Sequence, residues 1–329
     1  KKIDAAYIMA DIPFFNKFRF VGGLRHEDTA IEVVSKSGRP QFIPDAESGI
    51  SEDHLLPAAN LIYSIDERQN LRFAVTKTIA RPSFRELTSA AEFDAIGSFQ
   101  IIGNPELKMS EVTNFDFRWE MFPENGDELF AVSVFFKELE NPIEQVIDRF
   151  GFISWDNVET GEVRGLELEA RKKLGFLSSQ FTAFSVGGNL SVIDSEVNRS
   201  QLEIDRKIAE FPDLSPTREL QGQSSLIYNF DTSWEHFQKG TGITLSYNNT
   251  GERLYAVTNS SLPLVDEQPA EDLDLIVSQR LGSSWKLKFK VGNLLDSEST
   301  RFHTYQGVIF PYSAKESGRT FSMGVSYGK

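Results

Sequence analysis

Residues 113–122 read TNFDFRWEMF, and their side chains alternate almost without exception. Thr113, Phe115, Phe117, Trp119 and Met121 share one parity, while Asn114, Asp116, Arg118 and Glu120 share the other. Successive side chains of a strand point to opposite surfaces, so this segment is a strand with one apolar and one charged face. Such a strand suits a soluble sandwich as well as a lipid-embedded barrel. The segments around it decide which solvent meets each face.

Period-two patterning marks about thirteen strands, at 5–12, 17–35, 52–66, 70–80, 111–122, 128–137, 163–174, 180–193, 218–231, 239–247, 272–281, 285–292 and 320–328. Their connections alternate. Short ones fall at PFFN, ERQ, PENGD, GFLSS, TSWEHFQ and GSS; long ones fall at 36–51, 81–110, 138–162, 194–217, 248–271 and 293–319. A soluble sandwich has no reason to collect its long loops at one end, whereas outer-membrane barrels combine short periplasmic turns with long extracellular loops.

The faces agree with this. Phe130, Val132, Val134 and Phe136 share a parity; Trp285, Leu287, Phe289 and Val291 stand opposite Lys286, Lys288 and Lys290; Phe321, Met323, Val325 and Tyr327 stand opposite Ser322, Gly324 and Ser326. The apolar set is expected to face acyl chains and the polar set a wet or filled lumen. The fold class is therefore all-β, a transmembrane antiparallel up-and-down β-barrel. Phe18, Tyr63, Phe73, Trp119, Phe130, Tyr228, Phe230, Trp285 and Tyr327 stand near the short turns and predict an interfacial girdle. Lys77 and Arg164 fall on the lipid parity, but close to the long loops, where they reach headgroups.

Composition narrows the classes. At 40% hydrophobic and 25% charged, the 329 residues can build a large core, yet no apolar run approaches the roughly 18 residues of a membrane helix. A net charge of -14 opposes a nucleic-acid partner. Without cysteine, thiolate catalysis and disulfides are excluded. The opening KKIDAAYIMADIPFF is interrupted by Asp4 and Asp11, so it is no signal peptide; the chain is expected to be cytosolic, or a mature or truncated piece.

Several segments carry a family resemblance. LRFAVTKTIARPSFREL (71–87) ends in Arg-Pro-x-Phe-Arg-Glu-Leu, and GNPELKMSEVTNFDFRWEMFPENG (103–126) combines Gly-Asn-Pro-x-Leu-Lys with Glu-x-x-Asn-Phe-Asp. FFKELENPIEQVI (135–147), VRGLELEARKKL (163–174), KVGNLLDSE (290–298) and GRTFSMGVSYGK (318–329) follow in order. In these motifs the chain resembles the C-terminal part of the barrel of TonB-dependent outer-membrane receptors. The resemblance implies a barrel of about 22 strands with a plugged lumen. Residues 1–329 would be its C-terminal portion, with the plug and the earlier strands outside this chain. Its final strand would run toward the periplasm, which also places PFFN there. The ending Tyr-Gly-Lys departs from the family's usual terminal aromatic residue, so Lys329 is not expected to be the natural end.

The resemblance further implies an active transport receptor in the bacterial outer membrane. Extracellular loops would bind a scarce nutrient, and energy transmitted by TonB would drive import. Expected partners are the TonB complex through an N-terminal region, outer-membrane lipid, a small ligand (siderophore, cobalamin, glycan or peptide) and a surface lipoprotein. The alternatives are a passive outer-membrane channel, a surface receptor docking a protein partner, and a soluble all-β carbohydrate-binding protein.

No enzyme is expected. His26, His54, His236 and His303 lack metal-site spacing and read as isolated loop or rim residues, and no phosphate loop or Gly-x-Ser-x-Gly motif is present. Catalytic residues, metal ligands and cofactors are accordingly none. The triplets NRS (198–200), NNT (248–250) and NSS (259–261) reflect loops rich in Asn and Ser. Asp116, Arg118, Glu120, Glu167, Glu169 and Arg171 are expected to face a plug. Arg81, Phe84, Arg85, Trp155, Tyr255, His303 and Tyr305 are the loop residues expected to contact substrate.

Overall fold

Strand pairing organises the whole chain, as a computed structural model describing residues 1–36, 46–93, 99–123, 128–236 and 238–328 reveals. Thirteen strands succeed one another as an antiparallel meander within a 14-stranded sheet. They are β1 (Lys2–Phe14), β2 (Phe18–Ser35), β3 (Ala46–Ser64), β4 (Gln69–Ala80), β5 (Ser110–Met121), β6 (Leu129–Glu140) and β7 (Thr160–Lys173). β8 (Phe184–Asn198), β9 (Leu226–His236), β10 (Thr241–Thr250), β11 (Ala270–Leu281), β12 (Trp285–Gly292) and β13 (Thr320–Tyr327) complete the path. The two-residue strand Thr217–Arg218 pairs with β8 off this path.

Register turns the sequence alternation into continuous surfaces. One row runs Leu61, Phe73, Phe117, Val134, Leu166 and Val192 across six strands. A parallel row runs Trp119, Val132, Leu168, Leu190 and Tyr228. These residues form an apolar outward belt. Rings gather at its short-turn edge: Phe14 stacks on Phe18 at 5.4 Å, Phe18 meets Tyr63 at 4.7 Å, and Trp285 meets Tyr327 at 4.9 Å. Because consecutive strands are antiparallel neighbours, the long connections all leave from one end and the short ones from the other.

At the first turn, Phe15 and Asn16 adopt φ values of 49° and 58°. A left-handed pair matches the twist of the flanking strands in a tight hairpin. The turn PENGD lies mainly outside the described residues.

The long connections carry structure of their own. Segments of four of them join an eight-stranded second sheet in the order 308–316, 298–305, 265–267, 253–258, 143–147, 153–157, 100–102 and 91–93. Ile31 and Ile50, on the inward faces of β2 and β3, pack with Leu87, Leu107 and Met109 of the 81–109 connection. This apolar contact draws the connection into the barrel mouth.

Three expectations are corrected. The strand expected at 218–231 runs over 226–236, so the short turn follows His236 rather than Phe230. Asp231 and Ser233 resemble turn residues but face the lumen, alternating with outward Thr232 and Trp234. Phe230 consequently lies in mid-strand and Tyr228 near the long-loop end, and Trp234 takes the rim position. The connection expected as GFLSS is longer, holding two 3₁₀ turns at 174–176 and 179–181. His54 is no rim residue: it is 7% exposed on β3, with Nε2 3.4 Å from Glu52 and 3.2 Å from Glu111. β3 pairs with β4 only over Ala58–Ser64, and His54 occupies the space where the two strands part.

Val325 pairs with outward Leu287, and Ser326 pairs with inward Lys286. Val325→Arg is expected to destabilise the wall by about 2–4 kcal/mol at the midplane, with Ser326→Arg costing clearly less. A refolding titration in lipid vesicles measures both; equal costs would refute the face assignment.

Candidate functional site: lumenal wall and loop assembly

Inward, the alternation places charge. Glu120 on β5 is 5% exposed, and its Oε1 accepts from Arg72 Nε at 2.7 Å and from Asn70 Nδ2 at 3.3 Å. Its Oε2 accepts from Arg118 Nε at 3.2 Å. Arg118 also donates to Ser133 Oγ at 3.1 Å and to Glu169 Oε2 at 3.0 Å. Four neighbouring strands, β4 to β7, are thereby joined on the lumenal side.

Arg118, Glu167, Glu169, Arg171, Asn229 and Asp231 line a recess of about 310 Å³ beside this network. Gly187 leaves room for the Asp231 carboxylate: a Cβ there would stand 2.6 Å from Asp231 Oδ1. Asp116 stands in the neighbouring row between Ala74 and Phe135. Asp116, Glu167 and Arg171 form no ion pair with another described residue.

β11 and β12 carry the opposite sign. Arg280 pairs in register with Lys286, and Lys288 lies opposite Ser278. Lys290 is neutralised by Asp274 at 2.6 Å. No carboxylate among the described residues pairs with Arg280, Lys286 or Lys288, and directly opposed like charges repel. Among the described residues the lumenal wall therefore leans acidic on β5 to β9, where Asp116, Glu167 and Asp231 lack an ion pair beside Lys137 and Arg171, and basic on β11 and β12, where Arg280, Lys286 and Lys288 lack one beside Asp272.

At the long-loop end, the candidate contact residues divide into two groups. Arg81 is paired with the buried Glu27 and donates to Thr29 Oγ1 at 3.3 Å. Phe84 and Arg85 belong to the one-turn helix Phe84–Leu87, capped reciprocally by Ser83 and Glu86; both are exposed, Phe84 by 53%. Trp155 packs against the Ile31 cluster. In the second group, the Arg301 guanidinium covers the Tyr255 ring at 3.5 Å, and Tyr255 packs with Tyr312 on Ile147, Ala256 and Val265. His303 Nδ1 lies 3.0 Å from the Leu264 carbonyl, and its ring meets Tyr312 edge-on. Tyr305 Oη lies 3.5 Å from Glu210.

A buried ionic cluster holds the loops to one another. Arg218 donates to both oxygens of Glu144, at 3.0 and 2.5 Å, and to Glu203 at 3.4 Å; Arg199 pairs with Glu203. Glu203 and Lys207 lie on the helix Gln201–Lys207. Burial lowers the Lys207 amine to about 8, and it donates to Thr258 Oγ1 at 2.7 Å and to the Leu262 carbonyl at 2.5 Å. Burial, with Glu252 and Glu219 nearby, pushes Asp266 up to about 6. Burial would also raise Glu267, but hydrogen bonds from Arg253 and Arg301 override it and hold that carboxyl below its ordinary value. Among the described residues, no group of three His, Asp or Glu side chains is arranged to hold a metal.

Comparison with known proteins adds family membership to this geometry. The family model described as "TonB dependent receptor-like, beta-barrel" matches residues 1–294. The chain belongs to the TonB-dependent receptor family. No curated protein matches significantly. Among solved structures, a ferric enterobactin receptor (PfeA) mutant from Pseudomonas aeruginosa superposes with TM-score 0.61 at 17% identity, over 99% of this chain and 44% of that one. The ferric-catecholate import receptor Fiu from E. coli K12 gives TM-score 0.63 at 14% identity, over 99% and 44%. A copper transporter, OprC, gives 0.67 at 16% identity, over 99% and 47%. The chain spans less than half of these structures, and at such identities the likeness shows the fold alone.

Within this TonB-dependent receptor barrel, sequence reasoning missed two features. Arg72 and Asn70 share the lumenal parity of their strand, so the alternation could have found them. Nothing local announces the Arg218–Glu144 contact, which joins residues 74 apart.

Two outcomes are expected. Glu120→Ala leaves Arg72 and Arg118 without their shared carboxylate and should cost about 1–3 kcal/mol in vesicle refolding, since the arginines remain partly solvated. Asp266, raised in the folded state, contributes stability that is full below about pH 4 and is lost as pH rises through about 6. Asp266→Asn should therefore match wild type near pH 4 and protect the amides of 253–258 better at pH 7, measured by hydrogen exchange.

Proposed function

We propose that this chain forms the C-terminal portion of a plugged outer-membrane receptor that captures a scarce nutrient at its extracellular loops and imports it with energy from TonB. One observation carries the reading: a wall apolar outside and charged inside, capped at one end by loops locked through buried ion pairs. The apolar belt supports residence in the bacterial outer membrane, because only a lipid solvent favours so extensive an exposed apolar surface. The polarised lumen supports a folded occupant. Its basic side would face Asp116, Glu167, Glu169 and Asp231, with Arg118, Glu120 and Arg171 adding hydrogen-bonding partners, and its acidic side would face Arg280, Lys286 and Lys288. A passive channel would leave these charges to water.

The exposed residues Phe84 and Arg85 and the half-buried Tyr305 are the ligand contacts this reading favours. Arg81, Trp155, Tyr255 and His303 would position them from below. Ferric enterobactin and copper in the names of similar structures make a metal-bearing cargo one candidate beside cobalamin, glycan or peptide. The TonB complex and a surface lipoprotein belong to the same proposal.

The edges of β1 and β13 each pair on one side only. Unpaired backbone donors and acceptors are costly in hydrocarbon, so further strands are proposed to close the barrel, with a plug inside. Mass spectrometry of the intact protein from its native membrane should find a polypeptide or complex well above the 37.1 kDa of this chain. A mass near that value with no associated subunit would refute closure by additional strands.

A further inference from the structure

Part of the second sheet repeats the order of the wall beneath it. Strand 265–267 runs into β11, 298–305 continues from β12, and 308–316 leads into β13, through 268–269, 293–297 and 317–319. Pairing is antiparallel in both layers, β11 to β12 to β13 in the wall and 265–267 to 298–305 to 308–316 at the rim. The joints are tied. The Gln268 N–H donates to the Thr300 carbonyl at 2.9 Å, and Asn293 Nδ2 donates to the Ser297 and Gly318 carbonyls at 3.2 and 3.3 Å. The rim hairpin thus prolongs the wall hairpin, and the free edge of 308–316 adjoins the free edge of β13.

That upper edge has the composition of an inner strand. Among the described residues, 308–316 pairs only with 298–305. Val308, Ile309 and Phe310 are 53%, 59% and 49% exposed, with Val308 and Phe310 on one face and Ile309 on the other. Edge strands that meet water are guarded by charge, proline or a bulge. The opposite edge of the same sheet, 91–93, carries Glu92, and the lower part of 308–316 carries Pro311, a register shift beside it, Lys315 and Glu316. Val308–Phe310 has none of these. A run that is apolar on both faces belongs inside a sheet, with a partner on each side.

We propose, on the reading that further strands close the barrel, that the strand closing it against β13 continues above the wall and pairs antiparallel with Val308–Phe310. The rim sheet is then completed by a segment of the same polypeptide outside this chain. Direction selects this occupant: a neighbour antiparallel to β13 passes Tyr327 first and Thr320 last, and its next positions lie beside 308–316. β2 and β3 set the precedent for such a length, pairing over all 18 residues of Phe18–Ser35 where a membrane crossing takes about 9–11. Opposite Val308, Ile309 and Phe310 the incoming segment should carry β-branched or aromatic residues.

Residues 1–329 contain no cysteine, so Ile309→Cys and Met323→Cys each give the full receptor a defined attachment point for a maleimide–benzophenone cross-linker. Captured peptides are identified by mass spectrometry. Met323 samples the edge of β13, and Ile309 samples the edge above it. Both should capture segments upstream of Lys1 in the same polypeptide, the Ile309 segment lying C-terminal to the Met323 segment by roughly the separation of the two probes. In hydrogen exchange the amides of Val308–Phe310 should all be slow, because a strand paired on both sides leaves no alternate N–H to water. Upstream capture at Met323 but not at Ile309, captured segments in the reverse order, or fast exchange within Val308–Phe310 would each overturn the rim pairing and leave closure intact. Capture of a second receptor copy or of a separate protein at Ile309 would do the same. Failure of Met323 to capture any upstream segment would instead defeat closure itself.

Discussion

Backbone hydrogen bonding in hydrocarbon is the constraint on which this structure depends. A peptide group exposed to acyl chains has no water to pair with, so a chain without apolar helices crosses a membrane only as paired strands. The meander from β1 to β13 meets that demand at every internal strand and leaves it open at the two edges. Turns, loop lengths and face chemistry follow from it. Strands that pair with their chain neighbours place alternate connections at alternate ends, and the two ends then diverge in role.

Pairing also determines where charge can go. Each strand offers one face to lipid, which tolerates almost no ions, and one to the lumen, which tolerates many. The Arg72–Glu120–Arg118–Glu169 network is the interior counterpart of the apolar belt, built by the same residues' neighbours in the same register. The network balances two arginines against two glutamates, whereas Arg280, Lys286 and Lys288 of β11 and β12 stand without a carboxylate partner among the described residues.

The loop end obeys a different economy. There the chain is free of the lipid constraint and builds a second sheet, two small apolar cores and a buried ionic cluster. A cluster such as Arg218–Glu144–Glu203 stabilises little relative to apolar packing, yet breaking one member strands the others. It therefore fixes which loops lie beside which.

Alternation alone determined that this protein is a barrel wall: the parity of Phe115, Phe117 and Trp119 against Asp116, Arg118 and Glu120 is a local property, readable wherever a strand has two different solvents. It failed at 226–236 because Asp231 and Ser233 suit a turn and a lumenal face equally, and only pairing with β8 and β10 separates the two. Tertiary structure alone decided how the lumenal charges combine, since Arg72 and Glu120 meet only once β4 and β5 are in register. It alone decided that Arg81 is held by Glu27, that His54 is buried, and that residues 74 apart close the loop cluster. Periodicity records which solvent a side chain meets; which partner it meets depends on long-range register and loop packing, for which a single chain carries no local signal.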